Sequence, residues 1–141
     1  MRNKELVREA LEARKQSYCP YSGFAVGAAL LCGDGTVFRG CNIENAAYPA
    51  TNCAERTAMF KAVSEGNTDF RAIAIVGGPK GKEPKDFCAP CGVCRQVMAE
   101  FCDPDSFFIV VAESESDYEI RTLRKLLPEG FGSGNLADCI Q

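Results

Sequence analysis

The chain has 141 residues, 46% hydrophobic and 25% charged, with a formal net charge of −3 and no histidine. That length predicts one domain that buries roughly 70% of the surface its unfolded chain exposes and needs no covalent staples. The acidic balance, with no block of Lys or Arg, argues against a long phosphate-backbone footprint and for a small substrate over nucleic acid. The missing histidine excludes Ser-His-Asp and Cys-His nucleophile pairs and every histidine-bearing metal motif. Acid/base work near neutrality therefore falls to a tuned carboxylate, a thiol, a lysine or a metal-bound water. Nine cysteines are an odd number in a chain of this size, so metal binding plus buried thiols explains them better than a disulfide framework. The charged N-terminal stretch lacks an apolar signal core and no run reaches the length of a membrane span, so the expectation is a cytoplasmic protein with no membrane partner.

From Asn3 as N-cap, Leu6, Val7, Ala10, Leu11 and Arg14 recur at helical spacing, and the helix should stop near Tyr18-Cys19-Pro20. Phe24 to Cys32 is a nearly unbroken apolar run. Gly33-Asp34-Gly35-Thr36 closes it, and Val37 to Ile43 resumes the strand pattern, which predicts a hairpin with two largely buried strands. The stretch from Asn42 to Pro49 has no period and reads as a loop. Cys53 to Val63 reads as an Ala-rich helix with Gly66 as its stop, and Ala72 to Val76 as a short strand. Gly77 to Asp86 is polar and rich in Gly and Pro; it lacks the Gly-Lys-Ser/Thr ending of a phosphate loop and reads as a solvated loop. A helix should open at Cys91 or Gly92 and run to about Cys102. Phe107 to Ala112 is an apolar strand, Ser114 to Asp117 a turn and Tyr118 to Arg121 a last strand, after which Thr122 caps a short helix ended by Pro128. Strands alternating with helices predict an α/β domain with three layers, α/β/α, around a mixed sheet.

Two segments carry the chemistry: Thr51-Asn52-Cys53-Ala54-Glu55-Arg56 and Pro90-Cys91-Gly92-Val93-Cys94-Arg95. Three cysteines make three soft ligands of the kind zinc prefers; a structural site closes with a fourth, whereas a catalytic site keeps that position for water. Glu55, two residues past the first cysteine, is placed for general acid/base work at such a water without ligating the metal. Both segments fall at helix starts, where the dipole and free N–H groups favour thiolates. Three thiolates on Zn²⁺ leave a charge of −1, and Arg56 and Arg95 are candidates to donate hydrogen bonds to the sulfurs and offset it.

Each signal also has a plainer explanation. Cys-x-x-Cys at a helix start fits a redox pair or half of a structural zinc knot, with Cys88, Cys41 or Cys102 as a fourth ligand. Asn52-x-x-Glu55 is a capping-box pattern. Arg56 can be an exposed helix residue, Phe24 a core side chain, and Cys19, Cys32 and Cys139 small buried hydrophobes or surface accidents.

The joint pattern, Cys-Ala-Glu and then Pro-Cys-x-x-Cys with a strand between the two helices, resembles the zinc deaminases. More narrowly, the chain resembles the small, homotetrameric, all-cysteine cytidine deaminases from its first helix to Phe131. The likeness extends through Tyr21 to Leu30, Gly40 to Tyr48 and Leu126 to Phe131. It implies a five-stranded mixed sheet and one zinc per chain, held by Cys53, Cys91 and Cys94, with Glu55 as the catalytic acid/base and Arg56 beside the sulfurs. It also implies Phe24 and Val26 against the base, Ala54 on its polar edge, and Asn42 with Glu44 on the ribose 3′-hydroxyl. Ala46, Tyr48 and Phe131 are expected in a neighbouring subunit's site. The implied reaction is hydrolytic deamination of cytidine and 2′-deoxycytidine in pyrimidine salvage. A deaminase of a cytosine-containing nucleoside antibiotic is the nearest enzyme alternative, and the sugar-gripping pair argues against it. A closed zinc module without catalysis is the alternative from another class.

Overall fold

The computed structural model describes residues 1–136. Its elements in chain order are α1 (Asn3–Arg14), β1 (Phe24–Cys32), β2 (Val37–Cys41), α2 (Ala54–Ser64), β3 (Phe70–Pro79), α3 (Gly92–Phe101), β4 (Phe108–Ser114), β5 (Asp117–Thr122) and α4 (Leu123–Leu126). Single 3-10 turns lie at Tyr48–Ala50 and Ser133–Leu136. The five strands form one mixed sheet in the order β2-β1-β3-β4-β5, with only the β3–β4 pair parallel. This is the α/β sheet that the alternating pattern predicts.

The central strands are apolar on both faces because both faces are covered. Leu30, Ile73, Ile75, Ile109 and Val111 point to the side of α2 and α3, while Ala29, Ala72, Ala74, Val110 and Ala112 point to α1. The α1 face is paved mostly with alanine, so that helix lies close to the sheet: a Cβ at Gly27 would stand 2.1 Å from the Ala10 carbonyl oxygen. On the other face Gly40 plays the same part for α2, where a Cβ would stand 2.3 Å from the Ala54 carbonyl oxygen. Overpacking at such a site costs about 1–3 kcal/mol. Gly40 thus sets how near the start of α2 sits to β2.

Several ends shift from the sequence expectation. The N-cap of α1 is Arg2, not Asn3, and the Glu5 carboxylate reaches back to its amide at 3.0 Å. β3 runs past Val76 to Pro79, so Gly77 and Gly78 belong to a strand and not to the loop after it; Val26 and Ala25 pair with them across the ladder. Thr122 caps α4 as expected, accepting from the Lys125 amide at 3.3 Å. The eight described cysteines outside residues 137–141 are all free thiols, and Cys19 and Cys32 are buried. Cys139 lies outside the described residues. Among the described residues no helix is long and apolar enough to cross a membrane.

Because β1 is antiparallel to both β2 and β3, the start of β1 and the ends of β2 and β3 meet at one edge of the sheet. The chain enters α2 and α3 from that edge. Crevices at the carboxyl ends of strands are where open α/β sheets place their ligands.

Candidate active site

Each of the two helices begins on a cysteine. Cys53 is the N-cap of α2 and Cys91 that of α3, both with extended backbone and neither capping its helix through its side chain. The thiols converge instead: Cys53 Sγ lies 3.7 Å from Cys91 Sγ, which lies 3.5 Å from Cys94 Sγ. Tetrahedral zinc with Zn–S bonds of about 2.3 Å sets its sulfurs about 3.8 Å apart, so the three thiols fit one ion. Among the described residues this is the one group of three or more His, Cys, Asp or Glu side chains placed to share an ion. Cys88, Cys41 and Cys102 do not join it, which leaves the fourth position open.

Charge within the cluster is shared unevenly. The hydrogen bond with Cys94, helped by Arg56, pulls the Cys53 thiol down to about 5 against the effect of burial. The same bond with Cys53, together with burial, pushes the Cys94 thiol up. Arg56 Nη2 donates to Cys53 Sγ at 3.3 Å. Arg95 does not reach a sulfur. Its Nε donates to the Pro90 carbonyl at 2.7 Å and its Nη1 to the Leu126 carbonyl at 2.6 Å, so the expected pair of sulfur-facing arginines reduces to Arg56.

Glu55 is 4% exposed in the first turn of α2. The capping-box alternative is not what the chain builds, since the cap is Cys53 and the Asn52 amide donates to Thr57 Oγ1 at 3.1 Å. Burial pushes the Glu55 carboxyl up to about 7, with its own backbone amide opposing and the Cys53 charge reinforcing the shift. A carboxyl balanced near neutrality takes up and returns a proton with little cost either way.

Glu55 opens on a cleft of about 190 Å³ whose walls include Val26, Asn42, Cys53, Ala54, Cys88 and Cys91. Thr51 joins it to a second hollow of about 340 Å³ bounded by Tyr21, Ser22, Glu44, Ala46 and Tyr48. Asn42, just past β2, is pinned at both ends. Its Oδ1 accepts from the Val26 amide at 2.9 Å and from the Ser17 hydroxyl, and its Nδ2 donates to the Phe24 carbonyl at 2.8 Å. The Glu44 carboxylate accepts from the Tyr21 and Ser22 amides at 2.9 and 3.1 Å and from the Ser22 hydroxyl. The Ser22 hydroxyl leads in holding it below the usual carboxylate range.

Of the residues singled out in the sequence, Val26, Asn42, Ala54, Glu55, Cys88 and two of the three clustered thiols, Cys53 and Cys91, share the inner cleft, while Glu44, Ala46 and Tyr48 border the outer hollow. Phe24 is half-exposed at the start of β1, its ring and the Cys88 sulfur both closing on Gly77. Tyr48 is 86% exposed. Phe131 borders neither hollow of its own chain; it lies with Ala99, Leu123 and Leu127 on another surface. The sequence reading missed Ser17, Ser22 and Thr51. Nothing local joins Ser17 to Asn42 across 25 positions, whereas Ser22, in the turn that precedes β1, carried a legible signal as a short hydroxyl side chain beside free amides.

The family described as the cytidine and deoxycytidylate deaminase zinc-binding region matches residues 1–110. A cytidine deaminase of Sporosarcina psychrophila is 50% identical over 134 residues, covering 95% of this chain and 94% of that protein. One from Halalkalibacterium halodurans is 49% identical over 138 residues, covering 98% and 100%. The crystal structure of cytidine deaminase from Burkholderia pseudomallei superposes with a TM-score of 0.83 at 45% identity, covering 93% of this chain and all of that one. The matched region includes both cysteine segments and the strands that bring them to one edge of the sheet, and likeness of this extent leaves one assignment: the chain belongs to the cytidine and deoxycytidylate deaminase family.

Proposed function

We propose that the chain deaminates cytidine and 2′-deoxycytidine by hydrolysis, releasing ammonia and the uridine products, as a cytoplasmic step of pyrimidine salvage. The observation that carries this reading is a buried carboxyl lining one cleft with two thiols of a three-thiol cluster, which no fourth His, Cys, Asp or Glu among the described residues joins. Cys53, Cys91 and Cys94 would hold one zinc per chain, which would supply Lewis acidity that lowers the pKa of a water toward roughly 7 to 9, depending on ligand charge.

Glu55 is the proton carrier. It accepts a proton as the water's oxygen bonds to C4 of the pyrimidine and hands it to N3; it then takes the proton of the new C4 hydroxyl and gives it to the amine, which departs as the C4–N bond breaks and the C4 carbonyl forms. Water and amine are exchanged for carbonyl and ammonia, and the carboxylate returns to its starting state. Val26 and Phe24 bound the base and the Ala54 backbone meets its polar edge. Asn42 and Glu44 take the sugar hydroxyl, and Arg56 compensates the excess negative charge of three thiolates.

The assembly in this reading is a homotetramer with shared sites, in which Ala46, Tyr48 and Phe131 serve a neighbour. Its support is the exposure of two aromatic rings: Tyr48 stands 86% exposed on the rim of the outer hollow, and Phe131, 57% exposed, borders neither hollow of its own chain. A zinc determination beside an ultraviolet assay of cytidine loss tests the chemistry. A zinc-loaded protein that leaves cytidine intact would overturn it. Sedimentation tests the assembly, and a monomer would overturn the shared site alone.

A further inference from the structure

Arg95 and Gln96 follow the buried thiol of Cys94 along α3, and none of their hydrogen bonds reaches a sulfur of the cluster. Arg95 ties the Pro90 carbonyl, just before Cys91, to the Leu126 carbonyl at the end of α4, at 2.7 and 2.6 Å. Gln96 Nε2 donates to the Phe131 carbonyl at 2.7 Å. Between these two anchors the chain reverses at Glu129, whose φ of 52° is a conformation that a non-glycine residue keeps only when its surroundings hold it. Gly130 lies against the Leu127 side chain, where a Cβ would stand 2.9 Å from Cδ2. Residues 126–131 thus form a strap fastened at both ends to the helix that carries Cys94, with the ring of Phe131 standing exposed upon it.

We propose that Arg95 and Gln96 are positioning residues that act in trans: they fix the pose of the ring that each subunit lends to its neighbour's cleft, and they do not touch the substrate of their own. This rests on the shared-site reading above. Losing one anchor should loosen the ring and weaken substrate binding next door while leaving the chemical step intact.

Mixed zinc-loaded oligomers provide the test. A Glu55→Ala chain lends Phe131 but has no catalytic carboxyl; a Phe131→Ala chain keeps Glu55 but lends nothing. Relative to the mixture of these two, Gln96→Ala in the lending chain should raise KM for cytidine about three- to tenfold, the range of one neutral hydrogen bond, with kcat within about twofold. The same substitution in the Phe131→Ala chain should leave KM unmoved. Equal effects from either chain, or none from the lending chain, overturn the assignment. Gln96 is exposed, so its truncation spares the core that an Arg95 variant puts at risk.

The chain has no tryptophan, so Phe131→Trp makes a single reporter. Its fluorescence anisotropy in the homo-oligomer should fall when Gln96→Ala is added, and unchanged anisotropy overturns the strap even where mixing restores activity. No activity in the parental mixture overturns the shared-site reading, and the action in trans with it.

Discussion

The Arg56 guanidinium lies 3.3 Å from the Cys53 sulfur, while the guanidinium of Arg95, next to Cys94 in sequence, is committed to two backbone carbonyls. A three-thiolate zinc site carries one excess negative charge, and one arginine is placed to answer it. Charge-assisted hydrogen bonds contribute about 1.5–3 kcal/mol. Arg56→Gln should therefore cost about tenfold or more in zinc retention, read by competition with a chromophoric chelator, or in turnover. Lys61→Gln on the same helix is the control, since Lys61 spends its charge on the Arg39 carbonyl at 2.5 Å. Equal losses at the two positions would make Arg56 an ordinary surface charge.

Glu55 is buried where no helix cap requires it, so its removal separates chemistry from structure. Glu55→Gln keeps the size of the side chain and most of its hydrogen bonding but cannot accept a proton. Deamination should fall by roughly 10²-fold or more with zinc still bound at one per chain. Near-normal turnover in the metal-loaded variant would remove Glu55 from the reaction.

The fold and the metal cluster were legible from the sequence because each is written in a local code. Unbroken apolar runs such as Ala72 to Val76 mark strands covered on both faces, and Cys-x-x-Cys at a helix start puts two thiols within one turn. Less legible was what depends on the third dimension. Arg95 looks from its spacing as ready as Arg56 to meet a sulfur, and only the packing of α4 beside α3 offers it the Leu126 carbonyl instead. Ser17 and Asn42 meet because α1 ends over the start of β1, a relation no periodicity records. The reach of β3 through Gly77 and Gly78 was hidden for a different reason: glycine weakens a strand pattern, yet here the Cys88 sulfur and the Phe24 ring crowd the space a side chain at Gly77 would need.

In the proposed reading, where Asn42 and Glu44 take the sugar hydroxyl, the pinned amide of Asn42 fixes which way that hydroxyl hydrogen-bonds. Its oxygen is taken by the Val26 amide and the Ser17 hydroxyl, so only an Nδ2 hydrogen remains for a ligand, whereas the Glu44 carboxylate can only accept. A substrate hydroxyl between them must accept from one and donate to the other. A 3′-O-methyl or 3′-fluoro cytidine accepts but cannot donate, and a 3′-deoxy analogue does neither. All three should show kcat/KM lower by roughly 10-fold or more, with the 3′-deoxy compound lowest. Turnover of the 3′-O-methyl compound equal to that of cytidine would mean that Glu44 makes no such bond.

Cys88 decides whether the thiol cluster is an open site or a closed one. It lines the same cleft as Glu55 and the ligands but stands outside the group of sulfurs that can share an ion. Burial, reinforced by the neighbouring Glu55 charge, pushes its thiol up to about 11, but burial raises the Cys94 thiol too, so position and not protonation makes Cys88 a wall of the pocket. Cys88→Val keeps a small apolar surface there and should leave zinc at one per chain, whereas Cys91→Ser should lose the metal or bind it far more weakly. Cobalt substitution sharpens the comparison, because the intensity of the sulfur-to-cobalt band follows the number of bound thiolates. Wild type and Cys88→Val should give the same band, and in both the spectrum should shift when a competitive nucleoside ligand enters the open position. A band weakened by about a quarter in Cys88→Val, with no response to the ligand in the wild type, would make Cys88 a fourth ligand and the centre a structural one.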